Sequence, residues 1–184
     1  MRDAGAGGAP VLDRLRADTT CPGCGLALPA HSGPTHAYVG ASPACWQLYC
    51  RLSADPFSRR EGTRLRRLVV DAYAAQHPGV RHRRAMQSVA VHLMGLCVLL
   101  ERDGETRRLR PVLGKMPARK TMDLHWLAPP DFRRCVTAAD VLDAGPGEGY
   151  AASAEAWAKS VWAAWRPHHE TVRGWLDAPC RGAG

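Results

Sequence analysis

The five residues Cys21-Pro22-Gly23-Cys24-Gly25 constrain this chain more than any others. In a C-x-x-C knuckle the Pro-Gly turn brings both sulfurs to one point, and a glycine after the second cysteine lets backbone N–H groups approach the thiolates. The surrounding stretch, residues 19–46, holds three cysteines and two histidines with almost no apolar core of its own. A bound cation is the natural organiser of such a segment. The chain has seven cysteines, an odd number, and a reducing compartment disfavours a disulfide framework, so clustered cysteines read as metal ligands.

Zinc is the expected ion, and it needs four donors. Cys21, Cys24 and Cys45 supply three. Cys45 stands at the start of an expected helix, where backbone amide dipoles favour a thiolate. For the fourth, His36 and Cys50 compete. Cys45 and Cys50 would diverge by about 140° on a continuous helix, which favours His36 or a histidine arriving from another segment. A redox dithiol or small buried cysteines are the other readings of the knuckle. No βαβ unit follows it, which counts against a thioredoxin-like use.

The remaining sequence predicts a mainly α fold: a small helical bundle with an N-terminal zinc-knuckle-like loop region. At 184 residues and 20.0 kDa the chain suits one domain. We expect a flexible N-terminus over 1–18, a single α-helical domain over 19–177 that includes the knuckle 19–46, and a disordered tail over 178–184. Gly, Pro, Ser and Thr dominate residues 19–44 and predict loops without regular elements. Ser42-Pro43 reads as an N-cap and first helical position, with the helix ending at Asp55-Pro56. Helical spacing of apolar residues continues from Thr63 to about His77 and from about Arg84 to Arg102, giving an antiparallel pair across Pro78-Gly79. Residues 103–136 read as an irregular wrap pinned by Trp126 and Leu127. Thr137 to Asp140 reads as a capping box for a short helix. A long helix follows from about Tyr150 to Trp165, with Trp157, Val161 and Trp165 stacked, and Pro167 kinks or restarts it.

The apolar run Val89 to Leu100 is broken by His92 and is too short to cross a bilayer. Residues 1–10 lack the basic start and apolar middle of a secretory signal, so the expected location is cytoplasmic, without a membrane. The formal net charge is +8, with a pI near 9.5. Lys115, Lys120 and Lys159 are the lysines among 25 basic residues, a bias that a GC-rich coding genome also produces. No aromatic residues interleave in sequence with the arginine clusters. A nucleic-acid partner is therefore disfavoured but not excluded.

A second constellation lies in the helices. Asp71, within LVVDAYA, is too apolar in setting for a casual carboxylate and calls for a partner. His77 ends the same helix, His92 interrupts the most apolar helix one turn after Ser88, and His168-His169 open the final segment. A carboxylate and imidazoles projecting inward from separate helices build metal or acid–base sites in bundles. Asp71, Tyr73, His77, His92, His168 and His169 are thus the candidate catalytic residues. A buried structural network, with Asp71 bridging to Arg67 or His92, is the competing reading.

The order CPGCG, GPTHAY, GASPACW, DAYAAQHPG, QSVAVHLMGLC, SVWAAW and HHETVRGWL resembles DUF5946, an uncharacterised bacterial family, over nearly all of residues 20–177. Cys21, Cys24, His36, Cys45, Asp71, His77, His92 and one of the paired C-terminal histidines fall within the matching motifs. Cys50, Cys97 and Cys180 are less characteristic. The resemblance implies that Cys50 is not a ligand, and it implies no activity.

Two functional expectations follow. One is a small metal-dependent enzyme, with hydrolase- or lyase-type acid–base chemistry on a small molecule in a polar pocket between helices. The other is a zinc-stabilised helical binding or regulatory module whose arginine-rich surface meets an acidic partner or nucleic acid. The oligomeric state is not encoded in any motif, and no nucleotide-binding, nucleophile-elbow or H-E-x-x-H signature sharpens the choice.

Overall fold

The computed structural model describes residues 18–55, 63–102 and 124–177. The expected flexible residues before 18, the expected tail after 177 and most of the wrap from 103 lie outside the described residues.

The described residues open with a feature that the loop-rich composition did not announce. Strands β1 (Asp18–Thr20) and β2 (Ala27–Pro29) pair antiparallel, with Thr19 opposite Leu28, and the knuckle forms their turn. Three residue pairs suffice because the Cys21 N–H donates to the Leu26 carbonyl (2.9 Å) and the Gly25 N–H donates to the Cys21 carbonyl (2.9 Å). Gly25 has φ +78°, a left-handed conformation that side chains resist.

Helix α1 (Pro43–Ala54) begins where the sequence predicted. Pro43 is pre-set for a first turn, and the Ser42 hydroxyl accepts from the Cys45 N–H at 3.3 Å. Helices α2 (Thr63–Gln76) and α3 (Arg83–Glu101) are the expected antiparallel pair. As contacts on α2 move back from Asp71 to Arg64, those on α3 advance from His92 to Leu99. His82 caps α3, its Nδ1 accepting from the Arg84 N–H (3.0 Å) and the Ala85 N–H (3.4 Å). As a helix of 19 residues α3 is, by length and composition, long enough to cross a membrane. Leu93 to Leu99 are all buried within the protein.

Helix α4 (Ala138–Asp143) carries the expected cap, with the Asp140 carboxylate accepting from both the N–H (2.7 Å) and the hydroxyl (2.8 Å) of Thr137. Helix α5 (Glu148–Ala164) gives way to a single 3-10 turn at Arg166–His168 and then to α6 (His169–Asp177). Pro167 thus restarts the chain, as its missing N–H requires.

Helix α2 is central. It packs against α3 on one side and α5 on another, while α1 covers the α2 end nearest the knuckle and α6 closes on α3. Trp157 and Val161 of α5 and Trp165 just after it are fully buried, as are Leu68, Ala72 and Ala75 of α2. Leu127 and Phe132 are buried against this core. Gln76, itself fully buried, accepts from the Trp157 indole N–H and donates to the Val136 carbonyl, both at 2.9 Å.

Candidate metal centre

Three separate segments deliver the donors of the centre. The hairpin turn presents Cys21 and Cys24, the first turn of α1 presents Cys45, and the residue after α2 presents His77. One ligand atom from each lies within 4.8 Å of all the others, and all four residues are buried. The sulfurs of Cys24 and Cys45 are 3.8 Å apart, and the Cys45 sulfur is 3.3 Å from His77 Nε2. This quartet could hold a metal ion.

The backbone around the donors is fitted to them. A Cβ on Gly23 would stand 2.6 Å from His77 Cδ2 and 2.8 Å from the Gly40 carbonyl oxygen, so only glycine lets the knuckle close on the imidazole. The Gly40 N–H donates to the His77 carbonyl at 3.0 Å, and Val39 bridges Pro78, clipping the loop to the end of α2.

A second layer orients the donors. His77 Nδ1 lies 2.7 Å from the Tyr73 carbonyl oxygen and donates to it, leaving Nε2 free to face the sulfurs. The Tyr73 ring stacks on the imidazole with centroids 4.1 Å apart, and its hydroxyl donates to the Cys45 sulfur at 3.7 Å. Burial, then the neighbouring Cys45, pushes the Tyr73 phenol well above its ordinary value.

Hydrogen bonds from Cys24 and then Cys45 hold the Cys21 thiol far below its usual range. Cys45 is pushed up by its bonds with Cys21 and Cys24 and by burial. Burial lowers the basicity of His77, but its bonds to Cys21 and Cys24 outweigh it and raise its pKa to about 9. A cation at this point would replace protons, so binding releases them.

His36, the expected fourth donor, is not in the quartet. It is exposed, its Nδ1 accepts from the Tyr38 N–H (3.3 Å), and its ring lies against Tyr38 and Trp46. His77 takes its place, the histidine arriving from another segment. Its signal was present in the sequence as the H-P-G end of a buried helix. Cys50 is exposed on α1 and takes no part.

The helical candidates divide. Asp71 is fully buried and is brought together with His92: Oδ1 is 2.7 Å from His92 Nδ1, while Oδ2 accepts from Arg67 Nε at 2.8 Å. Gly95 of α3 closes over the carboxylate, where a Cβ would stand 2.2 Å from Oδ2. Tyr73 and His77 belong to the metal quartet and its support. His168 and His169 do not join Asp71. His168 Nε2 donates to the Ala128 carbonyl (3.0 Å), and His169 Nε2 donates to the Trp162 carbonyl (2.9 Å). The His169 ring lies flat on the Trp162 indole at 3.8 Å. They fasten the restart of the chain after Pro167.

A helical domain with a buried Cys3His centre is the class that fold and site define. The chain belongs to DUF5946, a family of unknown function, whose match covers residues 19–166. No curated protein and no solved structure matches it.

Proposed function

We propose that the protein is a zinc-stabilised helical binding module, in which the ion fixes the hairpin and α1 onto the end of α2. The closed quartet of Cys21, Cys24, Cys45 and His77 carries this reading. Tetrahedral zinc, with bonds of about 2.3 Å to sulfur and about 2.0 Å to nitrogen, sets donor–donor edges of roughly 3.5–3.8 Å. The Cys24–Cys45 and Cys45–His77 separations, 3.8 Å and 3.3 Å, lie close to these. Four protein donors complete a structural site, whereas a catalytic zinc keeps one position for water or substrate. The bond from His77 Nδ1 to the Tyr73 carbonyl and the hydroxyl of Tyr73 on Cys45 are the kind of support that such sites use.

The helical interior supports the same reading. Both Asp71 oxygens are engaged, so the carboxylate ties α2 to α3. A cleft of about 390 Å³ lies elsewhere, lined by Arg64, Leu99, Leu100, Glu155 and Lys159, and its charges pair with one another. Elemental analysis of purified protein tests the proposal. One zinc per chain and a loss of tertiary structure on chelation are expected. Metal-free protein of unchanged stability overturns it.

One observation favours a second reading, acid–base chemistry on a small anionic molecule. Asp71 holds Nδ1 of His92, a side chain that is 20% exposed. Arg67 Nη2 is buried with no hydrogen-bond partner among the described residues. Asp71→Asn and His92→Ala variants that keep their fold and full cellular function remove the basis of this reading.

A further inference from the structure

The fold assembles a surface that no single stretch of sequence contains. The bridge from Val39 to Pro78 and the Gly40–His77 hydrogen bond lay the loop at 36–40 beside the entry to α3. This contact sets aromatic rings from two distant segments in a continuous row. The ring of His82 is 6.0 Å from Tyr38, Tyr38 is 5.2 Å from His36, His36 is 5.8 Å from Trp46, and Trp46 is 5.1 Å from Tyr49. His36 and His82 are exposed, and Tyr38, Trp46 and Tyr49 are half-buried.

The charged side chains that these two segments bring beside the row are arginines. Arg81, Arg83 and Arg84 are exposed next to His82, and the Arg84 guanidinium donates to the Tyr38 hydroxyl at 3.0 Å. No Asp or Glu occurs between Asp18 and Asp55, nor between Asp71 and Glu101, so neither segment brings a carboxylate to the surface it builds. A polyanion would meet no repulsion from these segments. An acidic protein would use the arginines and leave the rings idle. Rings spaced 5–6 Å apart beside exposed guanidinium groups suit a ligand that offers phosphates and flat bases together.

We propose that this face binds single-stranded nucleic acid, with bases stacking on the row from His82 to Tyr49 and phosphates meeting Arg81, Arg83 and Arg84. The inference rests on the binding-module reading and names its partner. A duplex hides its bases within its own stack and offers the rings nothing, so single strands are preferred. Because stacking is tolerant of base identity, sequence preference is weak.

Fluorescence anisotropy of the zinc-loaded full chain tests the proposal, using fluorescein-labelled single strands of about 12 nucleotides, the length scale of such sites. RNA and DNA single strands, their duplexes and polyglutamate are compared. Zinc content and circular dichroism are measured on each protein sample. Binding of one or both single strands is expected, at least tenfold tighter than duplex or polyglutamate. His36→Ala and Tyr38→Ala each weaken it by about fivefold or more. The double variant Arg81→Glu and Arg83→Glu makes the dependence of log K on log salt shallower by about one to two. His36 and Arg83 are exposed, so their variants keep the question open to test should Tyr38→Ala fail to fold. A zinc-loaded chain that binds no single strand overturns the proposal, as does binding that the ring variants leave unchanged or that polyglutamate matches. A chain that binds single strands without zinc overturns the metal reading instead and leaves this one standing.

Discussion

His77 meets the Cys45 sulfur with Nε2 at 3.3 Å because its Nδ1 is committed to the Tyr73 carbonyl, one helical turn back. The end of α2 thereby fixes both the tautomer and the aim of the fourth donor. His77→Ala is expected to reduce bound metal from one ion per chain to a small fraction and to weaken metal affinity by orders of magnitude. His36→Ala is expected to retain the full complement. Metal content after dialysis against a mild chelator separates the two.

Chelation should also lower the melting temperature. At free zinc a thousandfold above Kd, binding contributes about 4 kcal/mol, which for a chain of this size corresponds to roughly 8–16 °C. Differential scanning calorimetry with and without chelator measures the shift, and readdition of zinc should reverse it. Acid should strip the ion as well, since the thiolates and the imidazole must be deprotonated to bind it.

Two glycines separate close packing from helix propensity. At Gly95 a new Cβ would meet Asp71 Oδ2 at 2.2 Å, so Gly95→Ala must displace the buried carboxylate or move α3. A loss of about 1–3 kcal/mol or more is expected. Gly174, in α6, has no atom within 4 Å of an added Cβ. Gly174→Ala should stabilise by about 0.5–1 kcal/mol, the usual gain in a helix interior. Urea unfolding of both variants gives the comparison.

Stability should depend on Glu101 in acid. Hydrogen bonds from Arg173, and beyond them one from the Trp162 indole, hold its carboxyl at about 2 despite partial burial. The folded value lies below the unfolded 4.5, so the stabilisation is complete above about 4.5 and disappears as pH falls towards 2. The difference in unfolding free energy between the native chain and Glu101→Gln should therefore shrink across that window. A difference that stays constant from pH 6 to about 2 refutes the assignment.

How much of this could be read from the sequence depended on whether the cause was local. The start of α1 was legible because Ser42 and Pro43 act within one turn, and so was the cap at Thr137 and Asp140. The three cysteine donors were legible because knuckle spacing and a helix start are local signals. The fourth was not, because His77 reaches the sulfurs only through the packing of α2 beneath the hairpin. Its competitor His36 was nearer in sequence, but its loop turns that ring towards Trp46. Likewise the pairing of Asp71 with His92 was anticipated from a carboxylate and an imidazole set among apolar residues on adjacent helices. His168 and His169 were misassigned to the same centre because adjacency to Pro167 sends them to the carbonyls of Ala128 and Trp162. The β1–β2 pair was missed since three-residue strands leave no alternation to detect.

Gln76 immediately precedes His77, and its amide is shared between the Val136 carbonyl and the Trp157 indole. One peptide unit thus separates the histidine from the hydrogen-bond partner of a chromophore at the heart of the longest C-terminal helix. An ion taken up by the quartet is therefore expected to change the near-ultraviolet spectrum of unlabelled protein, so the indole would serve as an optical gauge of occupancy.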